Sequence, residues 1–348
     1  MATPTYWLDP KLKEYATERQ SELIDAVNEH RSMRAAAKVL GIDQACVARQ
    51  VASVKRKAGL CGYAAVEQVE DSPITTTKTI MVLPDAQAKP GVDFSYLRRI
   101  GLYMVEKKPD IVVCIGDFAD MPSLSSYDKG KKAFEGRRYK RDVEAAQFAM
   151  QAFLGPMWEH NKTAKVKYTP RMVLTLGNHE ERINRAINDD AKLDGVLSIK
   201  DLAYEEYGWE VVPFLEVIVI EGIAFSHYFT TGVMGRPAGT AQAQLRKAGM
   251  SCIAGHQQGK QIAYSTRADG STVTSIIAGS CYEHLEDFLG AQGNKHWRGF
   301  LMCHEVKDGA FDEMWVSLGY INQRYSAVKV DPPIYSIPTA DEIAAGRC

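Results

Sequence analysis

Between Pro10 and Cys61 the apolar positions recur at helical spacing, with Leu12, Tyr15, Leu23, Ile24 and Val27 falling on one face. Ser32 stands where an N-cap would open a second, short helix to Leu40, and Gly41 suits the turn that ends it. Asp43 can cap a third helix running to about Ala58. Residues 1–62 are therefore expected to be three helices with a tight turn between the last two. From 63 to 78 the pattern dissolves into Asp71, Ser72, Pro73 and a run of threonines, which reads as a linker. After Lys78 the texture changes. Short apolar runs bounded by turn residues predict buried strands at Thr79–Leu83, Asp110–Ile115, Met172–Leu176, Phe214–Ile220, Ile223–Ser226, Ser251–Ala254 and Val273–Ala278. Helical periodicity marks Phe94–Lys107, Arg141–His160 and Ala238–Ala248. This alternation predicts an α/β domain over residues 79–330, and the adjacent runs near Phe214–Ser226 predict a hairpin, hence mixed sheets. Residues 331–348, with Pro332, Pro333 and Pro338, read as an irregular tail.

Composition narrows the class. Apolar residues make up 45% and charged residues 24% of the 348, ordinary values for a soluble globular protein with a full core. The net charge of -1 excludes attraction of the whole chain to nucleic acid, so any such binding must come from local patches. The 7 cysteines are odd in number, scattered and without a CxxC pair, which reads as reduced thiols in a cytoplasm. No signal-like N-terminus is visible, and no apolar run approaches the roughly 20 residues that span a bilayer. A cytoplasmic protein with no membrane partner is expected.

The chemistry sits just after the expected strands. Asp85 and Gln87 follow the first, in PDAQ; Asp117 and Asp120 follow the second, in GDFAD; Asn178, His179 and Glu180 follow the third, in GNHEER. His227 follows in FSHYF, and His256 and Gln258 follow in AGHQQ. Ligands bind at the carboxyl ends of strands in open α/β sheets, so oxygen and imidazole groups at one strand end after another imply one convergent site. A mixed Asp, Asn and His set suits divalent transition ions, and a pair of ions about 3.5–4 Å apart can activate water against a phosphoester. Gly116, Gly177 and Gly255 allow sharp turns and a close backbone approach there.

In this order the motifs resemble those of the calcineurin-like metallophosphoesterases; GDFAD and GNHE match without a change, and the resemblance spans about Thr79 to Tyr282, including Gly279-Ser280. It implies a sandwich of mixed β-sheets flanked by helices. It also implies that Asp117 bridges two ions, that Asp85 holds the first, and that Asn178, His227 and His256 hold the second. His179 would act on the phosphate or the leaving oxygen, with Asp120 and Glu180 orienting other groups. The divalent ions, one or two, would be Mn in first place, with Mg, Fe or Zn as alternatives. Gln87 and Gln258 stand where the family has histidines, and both positions serve the first ion. The departure implies a weakened first site, left empty or selective for a harder ion.

Two segments point to nucleic acid. Ser123–Arg141 carries Lys129, Lys131, Lys132, Arg137, Arg138, Lys140 and Arg141 among Tyr127, Phe134 and Tyr139, a pattern suited to phosphates and bases or to a solvated basic loop. Residues 36–47 read as a helix-turn-helix, with Ala37 allowing close packing, Gly41 in the turn, and Ile42 and Val47 inward. Its second helix would present Gln44, Arg49 and Gln50, with Lys55, Arg56 and Lys57 beyond. The basic excess there is slight, so a protein-contact module is the competing reading. The combination resembles bacteriophage proteins. Three functions remain open: a phosphodiesterase or nuclease acting on DNA or RNA, with DNA favoured; a phosphatase or phosphodiesterase on a nucleotide, small molecule or phosphoprotein; and a DNA-binding regulator whose catalytic domain has decayed.

Overall fold

The expected first helix breaks at Ala16. A 3-10 turn covers Pro10–Tyr15, and α1 (Glu18–His30) starts afresh because Thr17 and Gln20 cap each other. The Thr17 hydroxyl accepts the Gln20 N–H at 3.4 Å and the Gln20 amide oxygen accepts the Thr17 N–H at 3.0 Å. The structure, a computed structural model, describes residues 8–60, 77–286 and 289–327. It divides into two compact units, Met1–Thr76 and Thr77–Cys348. All but the last residues of the expected linker, and the expected tail at 331–348, lie outside the described residues.

In the first unit Ser32 caps α2 (Met33–Val39), accepting the Ala35 N–H at 3.3 Å, and Gly41 turns the chain with φ +64°. Asp43 accepts the Ala45 N–H at 3.2 Å where α3 (Gln44–Leu60) begins. The core joins Leu23, Ile24 and Val27 of α1 to Ala36 and Ala37 of α2 and to Val47, Val51, Val54 and Ala58 of α3. Gln44, Arg49 and Arg56 lie exposed on α3 and Lys55 is half-buried. The Gln50 amide is tied back to α1, its oxygen accepting from Gln20 Nε2 at 2.8 Å.

The second unit is α/β with mixed sheets flanked by helices. In chain order its strands are β1 (Lys78–Leu83), β2 (Ile111–Cys114), β3 (Arg171–Thr175), β4 (Glu210–Val212), β5 (Ile218–Ile220), β6 (Ile223–Phe225), β7 (Thr230–Thr231), β8 (Arg236–Pro237), β9 (Cys252–Ala254), β10 (Lys260–Thr266), β11 (Thr272–Ala278), β12 (Gly299–Lys307) and β13 (Ala310–Ser317). One sheet has the order β13-β12-β1-β2-β3-β4 and another β10-β11-β9-β6-β5, while β7 and β8 form a small ribbon. β1 through β4 are parallel; β12 and β13 add antiparallel pairs. In the other sheet β6, β9 and β11 are parallel and the two edges antiparallel.

The two sheets share one core, with Ile80, Val82, Val113 and Val173 facing Ile223, Phe225, Ile253 and Ile276. On its other face the first sheet turns Met81, Leu83, Val112 and Cys114 toward α4 (Ser95–Lys107) and α5 (Tyr139–Thr163). Burial on both faces is why these strands read as unbroken apolar runs. After β3 comes α6 (Glu181–Asp189), and α7 (Ala241–Ala248) packs on β9, β10 and β11. Only Ile218–Ile220 of the expected Phe214–Ile220 strand pairs, because Leu215 takes a left-handed turn, φ +66°, within Pro213–Glu216. The edge strands β10 and β13 alternate between half-buried and exposed positions for most of their length, so neither presents the unbroken apolar run of a central strand, whereas β12 is buried over its first five residues and breaks register only between His304 and Lys307.

Among the described residues no helix is long and apolar enough to cross a membrane. Phe225 is fully buried between the sheets. Phe225→Ala is expected to destabilise this unit by about 3–5 kcal/mol. Denaturant unfolding of both proteins reads it, and a loss below about 1 kcal/mol would contradict this account of the core.

Candidate metal centre

The loops after β1, β2, β3, β6 and β9 are stitched to one another. Gln87 N–H donates to the Asp117 carbonyl at 2.8 Å, Asp120 N–H to the Ala88 carbonyl at 2.9 Å, and Gly255 N–H to the His227 carbonyl at 3.0 Å. Asp117 Oδ1 accepts the His179 N–H at 2.9 Å, and both Asp85 oxygens accept the His256 N–H, at 3.1 and 3.0 Å. Glycine makes the approach possible at two points. A Cβ on Gly177 would overlap the Asp117 carboxylate, and one on Gly116, at φ +88°, would lie 2.7 Å from His227 Nδ1. Gln87, Asp117, His256 and Gln258 all take left-handed backbone, at φ between +44° and +67°. Such strain gathers where the surroundings dictate the conformation.

Acceptor atoms meet in the middle. Asn178 Oδ1 lies 2.9 Å from His227 Nε2 and 2.8 Å from His256 Nδ1, and Asp117 Oδ2 lies 3.3 Å from His227 Nε2. His227 Nδ1 is 2.9 Å from the Ile115 carbonyl, which can only accept, so that nitrogen carries a hydrogen and Nε2 faces the cluster. The donor atoms of Asp117, His227 and His256 all lie within 4.8 Å of one another, a spacing that fits a divalent metal ion. The electrostatics agree. Burial holds Asp85 above the usual carboxylate range, and Asp117 is held below it against burial, by His179 and His227. Burial opposes a charge on His227, yet Asp117 and Asp85 lift it to about 9. His256, half-buried, is lowered to about 4 by desolvation and by the neighbouring His227, and stays neutral.

His179 stands at the edge of this cluster. Its Nδ1 is 2.7 Å from Asp120 Oδ1 and its Nε2 3.7 Å from Asp117 Oδ2. Burial disfavours its cation, but Asp117 and Asp120 more than compensate and raise it. Burial likewise works against the Asp120 charge, and His179, Arg182 and Lys89 hold that carboxyl at about 2. Glu180 is wholly buried and accepts the N–H groups of Asp117, Ala119 and Gly177 at 3.0, 2.9 and 2.9 Å, and the Tyr204 hydroxyl at 3.1 Å. The two glutamines differ. Gln258 Oε1 accepts the Tyr282 hydroxyl at 2.7 Å, whereas both amide atoms of Gln87 are buried without a protein partner.

A cavity of about 500 Å³ opens over the cluster, lined in part by Gln87, Lys89, His179, Arg182 and His256. Arg182 was not singled out from the sequence, although it lies three residues after His179, a spacing that lets helical side chains meet. It donates to the Asp120 carbonyl at 2.7 Å and lies 3.1 Å from His179 Nε2. Lys89 and Glu286 were also missed; they pair at 2.6 Å, and His284 lies 2.7 Å from Glu286, too far apart in sequence for any local signal. In the basic segment Arg137 turns inward to the Pro122 carbonyl and Asp128, at 3.0 and 2.8 Å, and Arg138 is exposed. Tyr127 is 81% exposed, and Tyr139, half-buried at the head of α5, donates its hydroxyl to Asp201 at 2.6 Å.

Mn2+ is expected to raise the thermal midpoint, by the equivalent of about 2.7 kcal/mol at a hundredfold excess over its Kd. Asn178→Ala and His256→Ala should abolish most of that gain. The ion must displace the proton on His227, so its affinity should strengthen as pH rises toward 9. Glu180→Ala leaves three backbone donors unpaired and should cost at least about 3 kcal/mol of stability.

No family model matches the chain. It is 29% identical over 186 residues to the Gene 54 protein of Mycobacterium phage L5, an alignment covering 52% of this chain and 69% of that protein. To the Gene 54 protein of Mycobacterium phage D29 it is 27% identical over 191 residues, with the same shares of 52% and 69%.

Proposed function

We propose that this chain is a metal-dependent phosphoesterase of the calcineurin-like kind, hydrolysing phosphodiesters of nucleic acid, DNA in first place. The observation that carries the reading is the meeting of Asp117, Asn178, His227 and His256 beneath the same cavity wall that holds the His179–Asp120 pair. Asp117, Asn178, His227 and His256 would hold the ion, with Asp85 behind them. A divalent ion there supplies a Lewis acid that neutralises phosphoryl charge and acidifies the attacking water.

The chain's own groups have separate tasks. Asp120 fixes the His179 ring through Nδ1 and favours its cation, so Nε2 can give a proton to the departing oxygen. Arg182 holds the Asp120 carbonyl from α6, and its guanidinium, which can only donate, would have to leave its 3.1 Å contact with His179 Nε2 before that nitrogen carries the proton. On α3, Arg49 and Arg56 are exposed cations suited to duplex phosphates.

The test is hydrolysis of a simple aryl phosphodiester beside its monoester, with Mn, Mg and Zn supplied separately. Diester turnover should require metal and Asn178, and His179→Ala should lower kcat about 10²–10⁴-fold. Monoester turnover alone would favour the phosphatase reading, and none with any ion would favour a binding protein. Arg49→Ala with Arg56→Ala should weaken duplex DNA binding and flatten its salt dependence by a slope of about 2.

A further inference from the structure

Gln87 occupies an expensive position. Its side chain is 1% exposed, it lines the cavity, and neither Oε1 nor Nε2 has a protein partner. Its backbone is left-handed, φ +44°, and is pinned there by the N–H bond to the Asp117 carbonyl at 2.8 Å. A buried amide without partners destabilises the free protein, and strain of this kind is kept where a ligand uses it.

The surrounding groups narrow what that ligand is. The acceptors of Asp117, Asn178, His227 and His256 face one another and make a cation site without Gln87. An incoming anion meets a different situation. The cationic side chains lining this cavity each spend part of their donor set on the protein: Lys89 holds Glu286 at 2.6 Å, Lys131 holds Asp128 at 3.0 Å, Arg137 holds Asp128 at 2.8 Å, Arg182 holds the Asp120 carbonyl at 2.7 Å, and His179 Nδ1 lies 2.7 Å from Asp120. The Gln87 amide is a donor that no protein group has claimed. It is also permanently neutral, so it adds no charge beside Asp85 and Asp117 and no proton to be displaced.

We infer that Gln87 is a substrate-contacting residue whose Nε2 donates to a non-bridging oxygen of the bound phosphoryl group. This rests on the phosphoesterase reading and adds the residue that receives the anion. It also separates Gln87 from Gln258, whose amide oxygen is occupied by Tyr282.

Gln87→Met tests it, because methionine keeps the length and removes both polar atoms. The ligand-free variant should melt at the wild-type temperature or above it, since an unsatisfied buried pair has gone. Its Mn2+ affinity without phosphate should match wild type. Its affinity for inorganic phosphate with Mn2+ present, by calorimetry, should fall about tenfold or more, with KM for an aryl phosphodiester rising in parallel. Gln87→Glu should lose more, by placing a carboxylate against the anion. A phosphate affinity and KM within about twofold of wild type would overturn the inference. So would a lowered midpoint, which would make Gln87 a packing residue, or a lost Mn2+ affinity without phosphate, which would make it an ion ligand. Wild-type protein that neither takes up Mn2+ nor hydrolyses the diester would overturn the phosphoesterase reading as well. Normal wild-type hydrolysis with phosphate binding indifferent to Gln87→Met would overturn this inference alone.

Discussion

Everything at the candidate site hangs on the Glu180 carboxylate. It is buried completely, and its two oxygens take backbone donors from both GDFAD and the turn before α6, plus the Tyr204 hydroxyl. Burial pushes its pKa up, with the Asp117 charge adding to the effect, while the N–H groups pull it down. A carboxylate in such a place is tolerable only when donors surround it. Here they do, and the result is a clamp between neighbouring strand ends. Asp117, Asn178 and His179 all stand on the segments that this clamp joins, so their mutual distances follow from it.

The same compression explains the backbone. Gly116 and Gly177 bring the two chains closer than any side chain would allow. Asp117 takes a left-handed turn against Gly177, and Gln87, also left-handed, bonds its N–H to the Asp117 carbonyl. His256 and Gln258 repeat the arrangement after β9, where the His256 N–H must reach the Asp85 carboxylate. Tight turns at strand ends cost local free energy, and the buried sheets beneath supply the rigidity that holds them.

That division also decides what could be read from the chain itself. The central strands were legible because burial on both faces leaves an unbroken apolar run, as in Ile80-Met81-Val82-Leu83. The motif residues were legible because each directly follows such a run. The capping exchange between Thr17 and Gln20 is local too, yet it was hidden within a continuous helical periodicity. Lys89 and Glu286 were not legible, because their pairing depends on a return of the chain 197 residues later. Tyr139 shows a different limit. Its place among arginines and lysines suggested a stacking surface, but its hydroxyl is bonded to Asp201 and it is half-buried at the head of α5. Sequence neighbours report composition, and direction is set by the fold.

Charge balance sets the terms on which this cavity would receive an ion. Asp85, Asp117, Asp120 and Glu180 are buried within a few loops of one another, and desolvation penalises every one of their charges. Without an ion the compensation comes from imidazoles, and His227 rises to about 9 to provide it. A divalent cation in place of that proton would add one further positive charge among these buried carboxylates. Lys89, Arg137 and Arg182 are each held by a carboxylate, Glu286, Asp128 and Asp120 in turn, so their charges are partly offset before any anion arrives. On the proposed reading a phosphoryl group would be drawn in by the ion, and the Gln87 amide, which no protein group has claimed, would add a neutral donor without adding charge beside Asp85 and Asp117.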